Sequence, residues 1–287
     1  MWLMALFTFR EAWRKKVVLV TGGLTLAFLI LYGTGLHFAS RNMLSIADPP
    51  ASFFEMMQTI TISVMGIYLA GFLVAGLAIL ASVGSIAGEV ESGTLHAVAA
   101  RPLSRRDLLL GKFLGGAAML VTYATLLFLS LAGLTYWQTG LVLPGLAPAL
   151  GLFALKPLVL LSVAMLGTTR LATMSNGVLA FGLYALAMVG GMMEQIGALI
   201  RSASAVYAGV VTSLILPTDA VYRRLVATVV DRIPPVNGPD FPVLDPQMTL
   251  GPFGSQSTPS DWMLVYTLAY VVVLLAAAVY TFQRRDI

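Results

Sequence analysis

The sequence predicts an all-α polytopic membrane protein with six transmembrane helices, an N-terminal interfacial helix and a polar loop with a short helix between spans two and three. Three observations predict it. Only 10% of the 287 residues are charged and 58% are hydrophobic, whereas soluble chains carry about 25% charged residues. Uncharged runs recur near the roughly 20 residues a helix needs to cross the hydrocarbon core. The cations gather at the ends of those runs, as topology signals do, rather than on one phosphate-binding face. The chain is expected to bind no nucleic acid.

Taken in order, residues 1–16 set Leu3, Leu6, Phe7 and Phe9 against Arg10, Arg14, Lys15 and Lys16. This reads as an amphipathic helix lying in the interface, or as a plain charged anchor. It is not a cleaved signal: the run after it exceeds the 7–15 residues of a signal core, and no A-x-A site follows. The spans are expected at 17–36, 59–87, 113–135, 147–169, 177–193 and 262–283. The fourth is interrupted by Lys156. Ala203–Leu216 is apolar but only 14 residues long, which suits an interfacial or re-entrant helix better than a span. Residues 194–261 are expected outside the membrane on the far side, with a Pro- and Gly-rich loop from Pro234 to Pro259.

Charge decides between six spans and seven. With six, Arg10, Arg14, Lys15, Lys16, Arg101, Arg105, Arg106, Lys112, Arg170, Arg284 and Arg285 all fall on one side. The positive-inside rule names that side the cytoplasm. Seven spans would put Arg284 and Arg285 outside. The expected location is therefore the cytoplasmic (inner) membrane, multi-pass, with both termini inside.

The most informative stretch is 88–112, GEVESGTLHAVAARPLSRRDLLLGK. Glu89 to Ala100 can form a short helix with acidic residues at its start, where the helix dipole favours them. Arg101-Pro102 ends it, because a residue before proline avoids the helical region. Ser104 then caps a new helix with Asp107 at its third position.

These residues carry a resemblance. Glu89, Gly93-Thr94-Leu95, Arg101-Pro102, Ser104-Arg105 and Gly111-Lys112 resemble the signature of the ABC type-2 permease family, as does the ending Phe282-x-Arg284-Arg285-Asp286. Pro217-Thr218-Asp219-Ala220-x-Tyr222-Arg223 is similar to a stretch in the subgroup linked to multicopper-enzyme and nitrous-oxide-reductase maturation. The resemblance implies a permease working as a dimer, each copy docking 88–112 as a coupling helix on an ATP-binding-cassette ATPase subunit. Glu89, Gly93, Thr94 and Leu95 would lie at the docking contact. Arg101, Pro102 and Arg105 would belong to the same contact or steady the loop against lipid headgroups.

The chain itself has no phosphate-binding loop: Gly111-Lys112 is followed by Phe113 and lacks the upstream glycines. ATP and Mg are expected in the partner subunit, and no cofactor or enzymatic activity in this chain. With no cysteine, and with His37 and His96 on opposite sides, no thiolate or histidine metal site and no catalytic dyad can form. Met56-Met57 and Met192-Met193 could hold Cu(I) by their thioethers, but adaptable packing is the simpler use. Gly22-Gly23, Gly71, Gly76, Gly115-Gly116 and Gly190-Gly191 suggest close helix packing.

Lys156 is the one charge within an expected span. It could line a pathway and meet an anionic group, or snorkel outward, which avoids the roughly 2.5–3.5 kcal/mol of a charge at a helix centre. The leading function is therefore the permease of an ATP-driven transporter. The alternatives are a subunit passing ATP-driven motion to a partner across the membrane, and a free-standing secondary carrier.

Overall fold

The computed structural model describes residues 2–14, 16–41, 49–85, 87–88, 104–232, 236–238, 241–244, 247 and 250–284. The described chain is helical: α1 (Trp2–Arg14), α2 (Lys16–Arg41), α3 (Pro49–Ser82), α4 (Arg105–Thr139), α5 (Leu146–Thr168), α6 (Thr173–Leu199), α7 (Ala203–Ile215), α8 (Thr218–Val230) and α9 (Asp261–Gln283). A small antiparallel ribbon, β1 (Val236–Gly238) and β2 (Phe241–Leu244), precedes α9. Among the described residues six helices, α2 to α6 and α9, are long and apolar enough to cross a membrane. The protein is a multi-pass membrane protein with the expected fold class. The short helix expected within 89–100 lies outside the described residues.

The expected cap of α4 is realised. Ser104 Oγ accepts from the Asp107 N–H at 3.1 Å and donates to Asp107 Oδ2 at 2.7 Å, so two polar groups at the helix start satisfy each other. The helix thus begins at Arg105, well before the apolar run at 113, which marks only its lipid-embedded part. α1 packs on this start. A side chain at Gly115 would meet Ala5 O at 2.5 Å and Thr8 Cβ at 2.6 Å, while Leu6 and Phe7 of α1 stay exposed.

Residues 203–230 form a hairpin that enters the bundle and turns back. α7 runs antiparallel to the end of α6: Gly197 abuts Ala205, Glu194 abuts Gly209, and Gly190 abuts Thr212. α8 then runs the other way. Gly191 abuts Asp219, and Arg223 reaches Glu194. At its far end Thr228 O lies 2.8 Å from where a Gly145 side chain would begin, just before α5. Both ends of the hairpin therefore lie at one membrane face, and α7 and α8 are bent at 108°. This makes 203–230 a re-entrant hairpin and leaves six spans, with α2 and α9 the least buried of them, at the bundle's margin.

Sequence chemistry explains the turn. Pro217 disfavours a helical Leu216, which adopts φ −142°, ψ 104°. The last carbonyls of α7 lose their helical donors, and lipid offers none. Tyr266 and Tyr270 of α9 supply them, donating to Leu214 O at 2.6 Å and Ile215 O at 2.8 Å. Tyr270 is nine residues into α9, so the tip sits roughly 14 Å deep at 1.5 Å per residue.

Glycine earns its place where these backbones meet. A Cβ on Gly190 would overlap Thr212, and one on Gly191 would overlap the Asp219 carboxylate. The expectation fails at Gly22, Gly23 and Gly76, which face open space. Within one copy they serve no crossing among the described residues.

Candidate functional site: a buried charge chain and the base of the first loop

The first feature lies at the membrane face bearing the first loop. α3 ends at Ser82, α5 ends at Thr168 and α6 begins at Thr173, and buried polar side chains bind the three together. Asn176 donates from Nδ2 to Val83 O at 3.2 Å and to Ala164 O at 2.9 Å. Thr168 Oγ1 accepts from the Ala87 N–H at 2.8 Å. Lys112 of α4, also buried, donates to Ser85 O. The entry to the loop, at Val83 and Ala87, is thus tied to α5 and α6, and α4 at its exit is tied back to that entry at Ser85. A side chain at Gly167 would overlap Asn176 Oδ1, so a glycine is required for this contact.

Glu89, Gly93, Thr94, Leu95, Arg101 and Pro102 lie outside the described residues. Arg105 is described: its Nη1 donates to Gln283 O at 3.3 Å. A cation at a helix C-terminus is favoured by the exposed carbonyls there. This contact ties the exit of the loop to the end of the last span.

The second feature is a line of charges under the hairpin. Arg223 is 2% exposed. Its Nε donates to Asp219 Oδ2 at 3.0 Å, its Nη1 to Glu194 Oε1 at 2.5 Å and Ser257 O at 3.0 Å, and its Nη2 to Ser213 Oγ at 3.1 Å. One planar guanidinium thus ties α6, α7, α8 and the connection before α9, geometry that a point charge could not supply. Ser257 Oγ donates to Glu194 Oε1 at 2.7 Å. Gln195 continues the lacing, donating to Gly254 O at 2.9 Å and accepting from the Gln256 N–H at 2.8 Å.

Lys156 extends the line inward. It is ten residues into the 23-residue α5, near mid-depth, and only 6% exposed. It does not snorkel. Its Nζ lies 5.3 Å from the Tyr184 ring centre, and a Gly71 side chain would meet it at 2.8 Å. The Asp219 carboxylate attracts it along with Arg223. With Pro157 the next residue, α5 nevertheless continues unbroken to Thr168. Inward burial is affordable here because Lys156 and Arg223 balance Asp219 and Glu194, so the buried line is neutral as a whole.

Sequence reasoning quoted Asp219 and Arg223 only within the subgroup-like stretch and placed neither them nor Glu194 in a site, because charges flanking a short apolar run read as a segment outside the membrane. The available signal was the i, i+4 spacing of Asp219 and Arg223 directly after Pro217. Among the described residues no group of three or more His, Asp or Glu could hold a metal ion. The sites have the character of a transmission device: a loop base fixed to two helices at one face, and a charge-pinned hairpin against the same two helices at the other. No curated protein matches the chain. The family model described as ABC-2 family transporter protein matches residues 4–287. With that match spanning nearly the whole chain, the protein belongs to the ABC-2 transporter family and is a membrane subunit of an ABC transporter.

Proposed function

We propose that this chain is the permease that converts ATP hydrolysis by a separate subunit into movement of a substrate, export included, across the cytoplasmic membrane. Both termini and the first loop face the cytoplasm in this reading. The ATPase docks on 88–112, with Glu89, Gly93, Thr94 and Leu95 at the contact and Arg101, Pro102 and Arg105 beside it. ATP and Mg stay in that subunit. Two copies of the chain form the transporter. Lys156 belongs to the substrate pathway or to the switch that opens it. The resemblance around Pro217–Arg223, now seen to form the turn of the hairpin, favours the multicopper-enzyme maturation subgroup.

The observation that carries this reading is the double attachment of α5 and α6. Asn176 and Thr168 couple them to the first loop; Glu194 ties α6 to the hairpin by its ion pair with Arg223, and Lys156 of α5 is drawn to Asp219 by charge. Replacing Gly93 and Thr94 together by tryptophan tests the docking role. The double variant should insert and fold, yet fail to retain the ATPase subunit on co-purification. Full retention of the ATPase would remove the docking assignment.

A further inference from the structure

A cavity of about 250 Å³ opens between α7, α8 and the start of α9. It is smaller than the roughly 300–1,000 Å³ of a drug-sized ligand site, so it suits a head group of a few heavy atoms. Glu194 lines it and is 3% exposed. Glu194 Oε1 accepts from Arg223 and Ser257, but Oε2 is buried with no hydrogen-bond partner among the described residues. A buried carboxylate oxygen left without a donor costs several kcal/mol unless something else fills the role.

The remaining chemistry of the cavity says what that is. The hydroxyls of Ser257 and Thr258 each spend their proton elsewhere, on Glu194 Oε1 and on Ser255 O. Both therefore present lone pairs. Glu194 and Arg223 both line the cavity and pair through Glu194 Oε1, so Oε2 is the part of the carboxylate that the guanidinium leaves unused. The Arg224 guanidinium, which also reaches Pro259 O, is taken up by Asp261. One wall, Leu214 with Met263, is apolar, and Leu214 is also exposed on the outer face of α7. The mouth therefore lies where lipid-facing and polar surfaces meet.

We infer that this cavity binds a primary ammonium group, RNH3+, with its N–H donors on Glu194 Oε2 and the hydroxyl oxygens and its carbon chain on the apolar wall. A hard divalent cation would need more carboxylates than one free oxygen, and a quaternary ammonium has no N–H to give. The group can come from a free amine or from an ethanolamine lipid headgroup. The inference does not depend on the ATPase reading above.

The test uses the full-length chain in nanodiscs, with melting followed on adding ethanolamine, choline or ethanol. In phosphatidylcholine nanodiscs, ethanolamine at roughly fivefold its Kd should raise the melting temperature by about 2–4 °C, and choline and ethanol should not. In phosphatidylethanolamine nanodiscs, a higher starting temperature with no further rise identifies the lipid as source. An unchanged start with the same rise identifies the free amine. Glu194→Gln and the cavity-filling Ala220→Leu should both abolish the response; should Glu194→Gln fail to fold, Ala220→Leu alone decides. No rise with ethanolamine, an equal rise with choline, or a rise that survives Ala220→Leu would overturn the inference.

Discussion

Arg223 holds two buried carboxylates at once, and its loss would strand both. Removing one partner of a buried ion pair costs about 3–5 kcal/mol, since the remaining charge keeps its desolvation penalty without its partner. Arg223→Met should therefore lower stability by that order, measured as denaturant-induced unfolding in micelles. Arg223→Lys keeps the charge but cannot span Asp219, Glu194 and Ser213 together, so it should recover only part of the loss. Lys156 differs. Among the described residues it has no hydrogen-bonded carboxylate of its own; it rests on Gly71 and the Tyr184 ring. Lys156→Leu should leave expression and insertion intact while changing transport by the assembled complex. Unchanged transport would remove Lys156 from the pathway.

At the scale of elements, the six spans were legible because the bilayer imposes a length that composition reveals directly. The α4 cap was equally legible, since Ser104 and Asp107 interact locally. The hairpin was legible only in half. Ala203–Leu216 is visibly too short to cross, and Pro217 visibly ends it. The inward fold of α8 was not, because its burial depends on Glu194, 29 residues before Arg223, neutralising it. Pairing at that separation leaves no periodic trace. The hairpin tip gives a sharper test of the bilayer's demand for satisfied backbone. Tyr270→Phe frees Ile215 O in an apolar setting. The expected cost is about 0.6 kcal/mol and up to ~1.7 kcal/mol, the range of interhelical hydrogen bonds in membranes. The double change at Tyr266 and Tyr270 should exceed the sum of the singles if the tip loosens as a unit, read from a double-mutant cycle of unfolding free energies.

For the whole molecule the question is whether the two faces move together. α5 and α6 meet the first-loop base through Thr168 and Asn176 and the charge line through Lys156 and Glu194, the latter by a direct ion pair to Arg223. A rigid pair of helices gripped at one end should carry displacement to the other, provided the grip holds. Asn176 is the grip that a single change can release: Asn176→Ala strands the carbonyls of Val83 and Ala164. The chain has no cysteine, so Ser260→Cys at the cavity rim gives one reporter thiol on the opposite face. In the assembled transporter, ATP should alter the rate at which a water-soluble maleimide labels that thiol. With Asn176→Ala added, ATP hydrolysis should continue while the labelling rate no longer responds to ATP. A response that persists at full size would mean that motion reaches the hairpin by another route, with α4 and α9, joined by Arg105 and Gln283, the next pair to release.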